Sequence, residues 1–340
     1  KKTMNIYQTF FQALDQPLPS KELKKQYKTY IYSIIASILV LLVTEWYLNS
    51  KESMLLKSSR LIVMLILIYN VFQIGNMYNK VNHKLKNELG TEKLQKVIMD
   101  MKIQKAIAKM KLDRTLHTPD DCESLDVFKK TIQLKSECIF AKQAIIWGAP
   151  TWKEHLTIEE NVDRMLPTFV ECLAKTDREK IDGYVLEIKG KDLISSELLF
   201  TETVRRVLTY ISKMDPAEEH CMENDLTKLG WHFRFNNMAI FTTTFAPYYP
   251  LSNSRCTYGD EESAWMLFQP EASFLRHNLI LDHASTSWNN PKTKRDQIRI
   301  AFRNAGREYH IPPTEAYLVS HHIVKPIDGK SSGYVNWWNG

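Results

Sequence analysis

Two uncharged apolar runs stand out near the start of the chain. Thr29–Thr44 reads TYIYSIIASILVLLVT, and Leu61–Asn79 reads LIVMLILIYNVFQIGNMYN, with Arg60 before it and Lys80 after it. A bilayer core asks for about 20 predominantly apolar residues per helix. The pair therefore predicts a transmembrane hairpin over residues 29–79; two helices buried in a soluble core are the alternative. Lys21, Lys24, Lys25 and Lys28 precede the first run, and Lys80, Lys84, Lys86, Lys93 and Lys96 follow the second. By the positive-inside rule both ends face the cytoplasm. The expectation is an integral membrane protein with residues 1–28 and a large soluble domain on the cytoplasmic side. No small-residue cleavage site follows the first run, which argues against a signal peptide.

Past the hairpin, Leu94, Val97, Ile98, Met101, Ile103, Ile107 and Met110 recur at helical spacing among lysines. This predicts an amphipathic linker helix over 80–118, lying on a membrane, on a partner, or packed on its own domain. His117-Thr118-Pro119-Asp120 breaks the pattern and opens the domain 119–340. There, helices are expected at 139–147, 158–174 (with Pro167 inside), 195–214 and 296–305. Strands are expected at 184–188, 231–235, 238–245 and 264–268, where aromatic and β-branched residues gather. The fold class is α+β: the hairpin, then a mixed α/β domain with a central sheet.

Of the 340 residues, 44% are hydrophobic and 25% charged, ordinary globular values, and the net charge of +6 is concentrated around the apolar runs. No basic stretch in the domain is interleaved with aromatics, so no nucleic-acid partner is expected. Cys122, Cys138, Cys172, Cys221 and Cys256 are odd in number and form no C-x-x-C pair, which points to free thiols.

Walker, G-x-G-x-x-G, H-E-x-x-H and G-x-S-x-G motifs are absent. What remains is a series of blocks: Glu137-Cys138-Ile139-Phe140-Ala141, Trp231-His232-Phe233-Arg234-Phe235, Phe245-Ala246-Pro247-Tyr248-Tyr249-Pro250 with Ser254-Arg255, Phe268-Gln269-Pro270-Glu271-Ala272-Ser273-Phe274 running on to Arg276-His277, and Phe302-Arg303. In order and spacing they resemble the YqcI/YcgG family over roughly the C-terminal 200 residues.

The resemblance implies a haem-dependent oxygenase that hydroxylates an amino or guanidino nitrogen of a small-molecule substrate. It would bind haem b in an apolar slot with cations for the propionates. His277 is the expected iron ligand, with His155 and His232 behind it, and Cys138 or Cys256 offering thiolate instead. Arg234, Arg255 and Arg276 are the expected propionate partners, with Phe268 against the porphyrin. Glu271 is the acid expected to hold a guanidinium, and Tyr248 the tyrosine facing the cofactor. The chain departs from the family at Asn253-Ser254, where a His-Pro pair is expected. A membrane tether would suit a lipid neighbour or a membrane-bound reductase. Two other readings are open: a non-catalytic assembly subunit of a membrane complex, and a cofactor-independent enzyme whose arginines hold an anionic substrate. His321-His322 invites a metal reading without further ligands, and Trp337-Trp338 reads as an interfacial anchor or docking tail.

Overall fold

A computed structural model describes residues 33–34, 54–113, 116–279, 292–307, 318–328 and 334–339. The chain divides into two compact units, 1–98 and 99–340. The division falls inside one long helix, α1 (Met54–Lys109).

The expected transmembrane hairpin is not upheld. Among the described residues no helix is long and apolar enough to cross a membrane. The physical reason lies in the second run. Its apolar stretch Leu61–Ile74 is about 21 Å long at the helical rise, against a hydrocarbon core of about 30 Å. Asn70 and Gln73 interrupt it, and Asn76 and Asn79 follow. Asn70 is buried and donates from Nδ2 to Ser33 Oγ and to Ile66 O, both at 2.9 Å. The first run lies outside the described residues except for Ser33 and Ile34.

Unit 99–340 is a mixed α/β domain around a five-stranded sheet. Its strands are β1 (Ile146–Gly148), β2 (Gly183–Lys189), β3 (Phe233–Phe235), β4 (Met238–Phe245) and β5 (Ser263–Pro270), in the order β1-β2-β5-β4-β3. Only β1 and β2 run parallel, and a parallel pair needs a crossover. Between them lies α2 (Ile158–Glu179). Thr157 and Glu160 cap its start reciprocally, and Val162, Met165, Leu166, Phe169, Val170 and Leu173 repeat at the period that places one face inward. Two further helices follow: α3 (Lys191–Ile194), and α4 (Glu197–Lys213), which Ser196 caps.

Side-chain alternation divides the sheet. Tyr184, Leu186, Met266 and Phe268 join α2 and α4 in the main core, where Phe169 meets Tyr184, Phe235 and Phe268 at ring separations of 5.2–5.3 Å. Ile103, Ala106 and Ile107, from the part of α1 inside this unit, and Met110 just after it enter the same core. Val185 and Trp265 point the other way, onto Leu125, Phe128 and Ile132. The helix expected at 139–147 is corrected: a 3-10 turn at Ala141–Gln143 leads into β1, whose three residues are all buried and so show no alternation. Trp337 is also core, 2% exposed, with Nε1 donating to Ser320 O at 2.8 Å.

Gly148 fits where any side chain would collide. A Cβ there would stand 2.7 Å from Cys122 Sγ and 2.9 Å from Leu125 Cβ. Gly148→Ala should lower the urea midpoint by the equivalent of about 1–3 kcal/mol through overpacking; an unchanged midpoint would mean that the β1 edge yields freely.

Candidate functional site

The Val185–Trp265 face of the sheet continues across β5 and β4 toward β3. Register sets Thr243 opposite Leu267 and Phe241 opposite Gln269, and these four line a cavity of about 150 Å³. Two more helices contribute to its lining, α5 (Glu271–Arg276) through Phe274 and α6 (Lys294–Asn304) through Ile298 and Phe302. Phe128, Phe140 and Phe245 add further aromatic wall. Cations line it as well: Arg255, Arg295 and Lys325. No Asp or Glu is among the described residues that line it.

The cationic part is built, not incidental. Arg255 is 8% exposed; its Nη1 donates to Thr244 O at 3.2 Å and its Nη2 to His322 O at 3.0 Å. Asn253, at the departure from the family pattern, accepts the Arg255 backbone N–H at 2.8 Å and donates to Pro326 O and Ile327 O, each at 3.1 Å. The Tyr249 hydroxyl donates to Lys325 O at 2.7 Å and accepts the Lys325 N–H at 3.2 Å. The segment carrying His322 and Lys325 is thereby tied to the loop after β4, and a side chain on a fixed backbone loses less freedom on meeting a ligand.

Burial dominates the electrostatics. It lowers the Lys325 ammonium to about 7, with the Arg255 charge acting in the same direction. It holds the His322 imidazole well below its ordinary value, assisted by Lys325, Arg255, Arg295 and Arg299, so that ring is neutral. Burial also raises the Cys138 thiol on the cavity wall, against the Ala141 and Phe140 backbone N–H groups and the Arg295 charge, which lower it. One acceptor on the wall has no protein partner: Gln133 donates from Nε2 to Ala141 O and Ala144 O at 2.9 Å, while its Oε1 is buried and unbonded. A buried acceptor of that kind costs free energy until a donor reaches it.

Of the residues expected from sequence, Arg255, Cys138 and His322 line the cavity, with Phe140, Phe245, Phe274 and Phe302 from the same blocks. His277 and Arg276 meet at a different place, the buried carboxylate of Asp182. His277 Nε2 lies 2.9 Å and Arg276 Nη2 2.8 Å from Asp182 Oδ1, and Ser273 Oγ donates to the same oxygen at 2.8 Å. The Ile145 N–H donates to Oδ2 at 2.9 Å. This cluster ties α5 to the start of β2. Arg234 pairs with Glu219 at 2.6 Å. Phe268 is fully buried in the main core, Glu271 is exposed at the start of α5, and Tyr248 packs on Phe200 and Tyr249. His155 is exposed and His232 half-buried, neither at the cavity. His321 stacks on Tyr334 at 4.1 Å. The sequence reading missed Gln133, Arg295 and Lys325, which no motif marks.

Among the described residues no group of three or more His, Cys, Asp or Glu side chains is placed to hold a metal ion. For haem, the wall carries an imidazole and a thiol, His322 and Cys138. A cavity of about 150 Å³ with an apolar wall is of the size that holds a benzene-sized molecule. No protein-family model matches the chain, no curated protein matches it, and no solved structure matches it.

Proposed function

We propose that the domain binds a small organic anion, a carboxylate carried on an apolar body of about one ring, and that this cavity is its working site. The observation that supports the reading is the pairing of Arg255 and Lys325 with a phenylalanine-walled cavity of single-ring size. An apolar wall removes water from around the cations, and a guanidinium in that setting holds a carboxylate by charge-assisted bonds worth roughly twice a neutral one. The unbonded Gln133 Oε1 offers a donor-bearing ligand a further anchor. This is the cofactor-independent reading, in which arginine holds an anionic substrate.

Calorimetric titration of the protein with benzoate and with benzyl alcohol tests it. Benzoate should bind at least about tenfold more tightly, a difference of about 1.4 kcal/mol. Arg255→Gln should erase the preference. Affinity for benzoate should fall as pH rises through about 7, because Lys325 loses its charge there. Equal binding of the two compounds, or none, defeats the proposal. The haem-dependent N-oxygenase implied by the family resemblance is the alternative. A Soret band in folded protein supplied with haemin would restore that reading.

A further inference from the structure

We propose that Lys325 is an imine-forming amine and that the cavity takes an oxo-acid, an aldehyde or ketone whose carboxylate is held by Arg255. This inference rests on the anion-binding reading above and names its substrate class.

The geometry brings together what such a reaction asks of a protein. Lys325 lines the cavity and is 9% exposed. Its backbone is held on both sides of the peptide by the Tyr249 hydroxyl, and the following Pro326 carbonyl by Asn253. Arg255 lines the same space, and its guanidinium is fixed by two backbone carbonyls. A one-ring oxo-acid docked by its carboxylate on Arg255 presents its carbonyl within the space that Lys325 also borders. Amine attack needs an unprotonated nitrogen, and desolvated lysines reach that state near neutrality. Burial and Arg255 bring Lys325 to about 7, so both its forms are populated under ordinary conditions.

In the step, the Nζ lone pair forms a bond to the carbonyl carbon. The carbonyl oxygen then leaves as water, taking the two protons that the nitrogen gives up, and a C=N bond remains. No oxidant or reductant is consumed. The phenylalanine walls limit the water available to reverse the step.

The test uses the full chain with 4-formylbenzoate as probe and borohydride as trap, which delivers hydride to the imine carbon and leaves a stable secondary amine. Peptide mass mapping should place the adduct on Lys325, formed near neutral pH roughly a hundredfold faster than on surface lysines, whose nitrogen stays protonated up to about pH 10. Excess benzoate should protect it, and Lys325→Met should lose it. Benzoate binding with adducts spread evenly over surface lysines would overturn the imine inference and leave the anion-binding reading standing. Absence of both benzoate binding and a Lys325 adduct would remove the two together. Should Lys325→Met fail to fold, benzoate protection of the wild-type adduct decides alone.

Discussion

Lys325→Met should make the protein more stable, by an amount on the order of 4–5 kcal/mol at pH 6, at about 1.36 kcal/mol for each unit by which folding lowers the pKa. The sign follows from the lowered value. Unfolded, the amine titrates near 10.5; folded, near 7. Below about 7 the fold must keep a buried ammonium, and the full penalty applies. Between about 7 and 10.5 the unfolded chain binds the extra proton, so wild-type stability climbs with pH. Above that window the ammonium contributes nothing, and the variant's advantage should vanish. Methionine fills a similar volume without charge, so packing is kept. Urea unfolding of both proteins across the range checks this. A midpoint difference that does not change with pH would show that Lys325 is not buried as a strained cation. A residue kept at such a cost is the usual mark of a site selected for function over stability.

Asp182→Ala should act in the opposite direction, with a loss of about 3–5 kcal/mol, because it leaves half-buried Arg276 only the exposed Asp177 carboxylate at 3.8 Å and removes the acceptor of the Ile145 N–H. Burial alone would raise the Asp182 carboxyl. The bonds from Ile145, Arg276, Ser273 and His277 outweigh that and hold it below its ordinary value of 3.8. Its contribution is therefore complete above the ordinary carboxylate range and is lost as pH falls through the depressed value. Wild type and variant should differ fully at neutral pH and converge in strong acid. A constant gap down to the acid limit would show that the carboxylate is not the anchor of α5.

The same cluster shows why the site was hard to read in the chain. Arg276 and His277, side by side after a phenylalanine, have the composition of a propionate partner and an iron ligand. Asp182, 94 and 95 residues earlier, engages both, and nothing local announces that partner. Periodicity served where one face is buried and one is not: β4 was legible over Met238–Phe245, and α2 and α4 were legible from their apolar stripes. It failed at β1, where three buried residues carry no period, and at Leu61–Asn79, where an apolar stretch resembles a span until its length and its asparagines are weighed. The cavity draws Gln133, Phe241, Arg255, Arg295 and Lys325 from five separate segments. Only the fold assembles them: Arg255 and Cys138 stand in blocks that the sequence shows, whereas Gln133, Arg295 and Lys325 do not.

Occupancy of the cavity is read directly from a crystal of the protein soaked in 4-iodobenzoate and measured at a wavelength where iodine scatters anomalously. An iodine peak is expected inside the phenylalanine-lined cavity, with the carboxylate on Arg255 and Lys325. Iodine found only on the protein surface, with the cavity empty at saturating ligand, would contradict the anion-binding reading.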